Sequence, residues 1–173
     1  MTVPLFFFHG LYGSPQGHKA DLIKRAFPLC QIPSLPMDLP GRSVILESLI
    51  TLPSLLIGSS LGGLSAILFA MKKPELVRGM LLLAPLVGLY EKERCSKDEL
   101  ESIYSAYIPA EIPAMIVAAN GDQTIPLDEI QQFVDRCPVK KNIQLFQVDD
   151  EHGLANSDNK IVELAQALTG IIY

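Results

Sequence analysis

Three residues of this chain could together perform nucleophilic chemistry: Ser60, Asp122 and His152. A serine hydroxyl holds its proton at neutral pH and attacks only when a base takes that proton. An imidazole acting as that base needs a carboxylate to fix its tautomer and stabilise imidazolium. Ser60 lies in Gly58-Ser59-Ser60-Leu61-Gly62, a G-x-S-x-G pattern. The apolar run before it suits a buried strand, and Ala66 to Met71 continue it with a helical run. That context predicts a tight strand-to-helix turn, where Cβ atoms two residues either side of the serine would collide with the neighbouring strand and helix. Ser60 would project above the sheet, with the backbone N–H of Leu61 facing a developing oxyanion. The pentapeptide alone is equally compatible with a Gly/Ser turn leading into a core helix, so the partners decide.

Asp122 stands in Asn120-Gly121-Asp122-Gln123-Thr124-Ile125-Pro126, directly after a run that reads as a buried strand. An Asx-turn or a helix N-terminal carboxylate is the plain alternative there. His152 follows the last predicted strand, in Asp149-Asp150-Glu151-His152-Gly153-Leu154. The chain has only three histidines. His18 falls on a helix pattern as an exposed position, and His9 ends the first strand, where it would orient a loop. Elimination leaves His152 as the base. Asp149, Asp150 and Glu151 share the histidine's own loop and could not readily reach its far nitrogen. In His9-Gly10-Leu11-Tyr12-Gly13, a glycine at a strand end lets the next N–H turn toward the space above Ser60. The second oxyanion donor is therefore assigned to Leu11, with Tyr12 the alternative.

These groups need a scaffold that gathers strand ends. Residues 3–8, 31–35, 55–58, 79–84, 112–119 and 142–148 read as strands, most of them apolar on both faces. Helical patterns separate them at 14–27, with Ser14-Pro15 as N-cap and N1, and at 42–52, 61–71, 127–136 and 158–169. Alternation of doubly buried strands with helices predicts an α/β protein: a three-layer fold of about six mainly parallel strands with helices on both faces. Ligands then sit at the carboxyl ends of the strands. Residues 86–111 break the alternation and are expected to form a small lid, with Leu86, Val87, Leu89, Tyr90, Ile103, Tyr104 and Tyr107 facing a modest apolar group. Without a repeat or linker, residues 1–173 read as a single domain.

Composition narrows the partners. The net charge is −5 and no Lys/Arg stripe occurs, which argues against nucleic acid and an anionic membrane surface. Cys30, Cys95 and Cys137 are odd in number and scattered, so they read as reduced cysteines without disulfide or zinc spacing. The apolar N-terminus lacks a basic flank and breaks at His9-Gly10. A cytoplasmic location is expected.

Together, His9-Gly10, Gly58-x-Ser60-x-Gly62, Gly121-Asp122 and His152-Gly153 resemble the α/β-hydrolase superfamily over nearly the whole chain, including the order serine, aspartate, histidine. His9-Gly10-Leu11-Tyr12-Gly13-Ser14-Pro15-Gln16-Gly17-His18-Lys19-Ala20 is similar to the opening of the small YqiA/UPF0227-type esterases. The chain departs from larger superfamily members in opening directly at a central strand and in its short lid. The resemblance implies a serine hydrolase of small to medium carboxylic esters, with thioester hydrolysis and acyl transfer as neighbouring chemistries. It implies an acyl ester as the small-molecule partner and no metal or organic cofactor. A non-catalytic binding protein on the same scaffold is the rival expectation. A P-loop is disfavoured because Gly58-Ser59-Ser60-Leu61-Gly62-Gly63 lacks its Lys-Ser/Thr.

Overall fold

The computed structural model describes residues 3–89 and 91–170. Among the described residues five strands form one sheet: β1 (Leu5–Phe8), β2 (Ser54–Ser59), β3 (Val77–Leu83), β4 (Ala114–Ala119) and β5 (Ile143–Val148). They lie side by side in chain order, and all four pairings are parallel. The helices are α1 (His18–Ala26), α2 (Leu39–Leu49), α3 (Leu61–Lys72), α4 (Lys97–Ser105), α5 (Leu127–Arg136) and α6 (Asp158–Gly170).

Strand alternation explains why the apolar runs are continuous. Phe6, Phe8, Leu56, Met80, Leu82, Ile116 and Ala118 face one way, against α2, α3, α4 and α5. Their neighbours Leu5, Phe7, Leu55, Ile57, Leu81, Leu83, Met115 and Val117 face α1 and α6. Both sides of the sheet are therefore core, and the polar residues of its central strands, Ser54, Ser59 and Arg78, sit at or next to strand ends. Along β5, Gln144 and Gln147 are exposed, as an edge strand allows.

Two expected elements come out differently. The strand expected at 31–35 shrinks to one parallel bridge, Phe6 with Gln31, on the outer side of β1. Pro33 and Pro36 leave that stretch short of the N–H groups a ladder needs. The first helix begins at His18 and not at Ser14: Gly17 N–H donates to the Ser14 carbonyl at 3.1 Å in a separate turn, and Gly17 becomes the N-cap. The bridge still matters for topology. From β1 the chain first passes through α1 to the bridge on one side, then returns through α2 to β2 on the other. This reversal opens a crevice at the carboxyl ends of β1 and β2, where sheets of this kind bind ligands.

The segment 86–111 is packed as part of the third layer. Val87, Ile103, Ala106 and Ile108 are buried in the core. Arg136 on α5 staples both ends of the excursion, donating to the carbonyls of Val87 (3.0 Å), Ile103 (2.9 Å) and Ala106 (3.1 Å). A capping box between Ser96 and Glu99 starts α4. Val87 and Ile103 thus serve the core instead of lining a substrate space, because β4 and α5 need a covering layer there. Leu86, Leu89 and Tyr104 pack half-buried against the same core, and Tyr107 stays largely exposed. The expectation for Tyr90 lies outside the described residues. No helix among the described residues is long and apolar enough to cross a membrane.

Arg136→Ala removes three hydrogen bonds that a charged donor makes to carbonyls. It is expected to lower unfolding free energy by about 2 kcal/mol in urea titration. An unchanged midpoint would show that the excursion is held by its apolar contacts alone.

Candidate active site

The geometry around Ser60 starts from two glycines. A Cβ on Gly58 would lie 2.5 Å from the Gly62 carbonyl oxygen and 2.7 Å from Gly63 Cα. A Cβ on Gly62 would overlap the Phe8 carbonyl of β1. Both obstacles are backbone and cannot swing aside, so strand, turn and helix meet this closely only with glycine at both sites. Between them Ser60 adopts φ 53 and ψ −117, a conformation that costs a non-glycine residue on the order of 1–3 kcal/mol. Neighbours hold it there: Ser60 N–H donates to the Leu83 carbonyl at 2.9 Å, and the Ser60 carbonyl accepts from Leu86 N–H at 3.0 Å.

Ser60 is the N-cap of α3, yet its side chain makes no capping hydrogen bond. Its Oγ instead lies 3.1 Å from Nε2 of His152. Nδ1 of His152 lies 2.8 Å from Oδ2 of Asp122. The Asp122 side chain is fully buried, and its other oxygen accepts from the N–H groups of Thr124 and Ile125, both at 2.8 Å. The Asx-turn weighed as an alternative for Asp122 is present, and the second carboxylate oxygen still reaches His152. A carboxylate so held accepts a hydrogen bond from Nδ1–H and leaves the Nε2 lone pair facing Ser60. Such an arrangement can move a proton off the serine hydroxyl.

The histidine loop is bound to the aspartate loop. Gly121 N–H donates to the Asp150 carbonyl at 3.0 Å. The Asp150 carboxylate accepts from Ser157 Oγ (2.7 Å), Glu151 N–H (2.8 Å) and Asn156 N–H (2.9 Å), so it works within its own loop. Burial acts to raise its pKa, but these hydrogen bonds outweigh that and the net shift is downward. Lys19 on α1 donates its ammonium to the Gly153 carbonyl, next to His152.

On the other side of Ser60 runs the loop after β1. A Cβ on Gly10 would lie 3.4 Å from Ser60 Cβ and 4.0 Å from its Oγ, which puts the Gly10-Leu11 peptide beside the serine. Gly13 N–H closes a turn on the Gly10 carbonyl at 3.2 Å, leaving Leu11 partly exposed and Tyr12 almost fully so. Leu61 opens α3, where backbone N–H groups have no partner within the helix. His9 is not placed to act as a base. Its Nε2 accepts from Leu35 N–H at 3.1 Å while Nδ1 donates to the Gly10 carbonyl at 2.8 Å. His18 pairs with Asp158 at 2.8 Å, far along the chain from the serine.

Clefts flank the site on two sides. One of about 280 Å³ is bounded by His9, Gly10, Ser59, Lys19 and Gly153. Another of about 500 Å³ lies by Asp122 and Gln123, with Leu89, Pro126 and Leu127 on its wall. A third, of about 580 Å³, lies between α2, α3 and α4.

One participant had no motif to announce it. Arg42, on α2, is fully buried, and its guanidinium donates to the carbonyls of Pro36 (2.7 Å), His9 (2.8 Å) and Gly10 (3.2 Å). Burial pulls its pKa down to about 10, while the Asp38 charge acts in the opposite sense. The one available signal was a cation in the first turn of a helix, where the macrodipole disfavours it.

The profile of the serine hydrolase family matches residues 5–142. No curated protein sequence matches the chain significantly. Among solved structures, mouse alpha/beta hydrolase domain-containing protein 10 superposes with a TM-score of 0.81 at 16% identity, covering 100% of this chain and 92% of that one. The monoacylglycerol lipase of Paleococcus ferrophilus gives 0.74 at 12% identity, with 98% and 96% covered. Est1E from Butyrivibrio proteoclasticus gives 0.71 at 15%, with 99% and 87% covered. At these identities the structural likeness establishes the α/β-hydrolase fold.

Burial lowers the pKa of His9; its bond to the Gly10 carbonyl opposes this, and the Arg42 charge adds to it. The unfolded chain therefore takes up this proton first as pH falls below about 6.5. The stability that neutral His9 contributes is present above that pH and lost as pH drops through the lower folded value. The wild-type stability advantage over His9→Gln should accordingly shrink between about pH 7.5 and about pH 5 in urea titrations, a window that starts above the ordinary histidine pKa and ends below it. A difference that stays flat would contradict this.

Proposed function

This chain belongs to the serine hydrolase family, and from that premise we propose that it hydrolyses carboxylic esters of small to medium acyl groups, with Ser60 as nucleophile. In this reading Ser60 Oγ attacks the acyl carbonyl while His152 Nε2 takes its proton. Asp122 holds the imidazole through Nδ1 and stabilises the imidazolium. The N–H groups of Leu61 and Leu11 receive the oxyanion of the tetrahedral intermediate. Collapse breaks the bond to the alkoxide, which leaves with the proton from His152, and an acyl group remains on Ser60. Water, deprotonated by His152, attacks the acyl-enzyme and returns the acid and the free serine. Each step uses groups of this chain and water.

One observation carries the reading: a strained N-cap serine forgoes its capping bond and sits 3.1 Å from a histidine that is itself 2.8 Å from a buried carboxylate. A binding protein has no use for a positive φ at that serine, and strain of this kind collects at functional sites. The modest clefts next to the site, one bordered by Ser59 and Gly153 and the other by Asp122, suit small to medium acyl groups. Continuity of the sheet and its two helical layers supports treating residues 1–173 as one domain, with 86–111 as its packed flank.

A series of p-nitrophenyl esters, from acetate to longer chains, tests this. Ser60→Ala is expected to abolish turnover. Asp122→Asn should lower kcat by about 10⁴, because the amide favours the wrong imidazole tautomer. Wild type as inert as Ser60→Ala would return the molecule to the rival reading, a binding protein on a hydrolase scaffold.

A further inference from the structure

We propose that Arg42 is a positioning residue for the oxyanion site, setting the direction and donor strength of the Leu11 N–H through the Gly10 carbonyl. The inference rests on the esterase reading above.

Its geometric basis is the peptide unit that joins Gly10 to Leu11. The structure contains no cis peptide among the described residues, so the C=O and N–H of that unit point in opposite directions. Fixing the oxygen therefore fixes the N–H. Three donors converge on that oxygen: His9 Nδ1 at 2.8 Å, Gly13 N–H at 3.2 Å and Arg42 Nη2 at 3.2 Å. The next carbonyl back, that of His9, takes Arg42 Nη1 at 2.8 Å. One planar guanidinium thus grips two successive carbonyls, a match that its fixed fork provides and a lysine ammonium does not. Gly10 in turn packs against Ser60 Cβ, so the gripped peptide borders the reacting atom.

Charge supplies the second half. The hydrogen bonds of Arg42 all go to backbone carbonyls, those of Pro36, His9 and Gly10. Asp38 attracts it, but the Asp38 carboxylate caps the Gly41 N–H. A buried cation without a hydrogen-bonded carboxylate is costly, and a purely structural demand for donors could be met by neutral groups. Behind an oxyanion site the charge has a use. It polarises the Gly10-Leu11 amide, makes the N–H a stronger donor, and stabilises negative charge that appears only in the transition state.

The test compares wild type with Arg42→Lys, which keeps the charge and loses the fork. Hydrolysis of p-nitrophenyl acetate should show kcat reduced by about tenfold or more, short of the roughly 10²–10³ lost with a whole oxyanion donor. KM should stay within about twofold of wild type, because ground-state binding barely uses this donor. The same substitution is then made in a chain whose Leu11 amide is replaced by an ester, which deletes the N–H. There the effect of Arg42→Lys on kcat should vanish, since the interaction it serves is gone. An equal loss in both backgrounds, or a folded Arg42→Lys with wild-type kcat, overturns the proposal. Should Arg42→Lys fail to fold, wild type decides it by NMR with phenylboronic acid as probe. Ser60 Oγ adds to boron, giving its proton to His152, and the tetrahedral boronate carries the negative charge. The Leu11 amide and Arg42 guanidinium proton resonances should both move on adduct formation, and either resonance staying in place overturns the proposal. If Ser60 forms no adduct and wild type cleaves no ester, the esterase reading itself has failed; ester cleavage unaffected by Arg42→Lys sinks only the role of Arg42.

Discussion

The contact between Gly62 and the Phe8 carbonyl is the constraint on which the rest of the site depends. It lets α3 start directly above the sheet, touching β1, while Gly58 lets the turn close without a side chain in the way. Helix, turn and strand then share backbone surfaces instead of side-chain layers. With no space between them, the serine at the apex has one direction left. Its φ of 53 is the consequence, and so is the loss of its capping bond. The N-terminus of α3 and the loop after β1 are brought to the same point by the same contact.

The strain at Ser60 has company. Ala84 and Leu154 also have positive φ, at 42 and 53, and both flank the carboxyl edge of the sheet. Each is buried, with Ala84 N–H bonded to the Val117 carbonyl at 2.8 Å and Leu154 N–H to the Glu151 carbonyl at 2.9 Å. Strain of about 1–3 kcal/mol at each of these residues persists only where surroundings over-determine it. The doubly covered sheet provides that rigidity, since both faces of its central strands are closed-packed core. Stapling of 86–111 by Arg136 extends the same rigidity toward the site.

Much of this was legible in the sequence, for a physical reason. Strands buried on both faces must be continuous apolar runs, and α5 and α6 carry a helical period, so these elements and the alternation announce themselves. The residues Ser60, Asp122 and His152 were legible because each follows a strand, and a parallel sheet gathers strand ends whatever their separation in sequence. The five-stranded sheet and the family match agree with the α/β-hydrolase expectation. Where the reading missed, local preference yielded to tertiary contact. Ser14-Pro15 has the chemistry of a helix start, but the chain spends it on a turn and begins α1 at His18. Gln31 to Leu35 lacks donors for a full ladder. Val87 and Ile103 look like lid residues by composition, and only the packing of β4 and α5 shows that the core claims them. Arg42 was invisible for another reason. Its partners are backbone carbonyls, which have no residue type and leave no spacing to find.

An activated nucleophile at Ser60 would betray itself by covalent labelling. Wild type treated with a fluorophosphonate should gain one phosphonyl group, located on Ser60 by peptide mass spectrometry, and His152→Ala should label far more slowly. Absence of label on Ser60 in folded wild type, or labelling indifferent to His152, would show that Ser60 is no activated nucleophile.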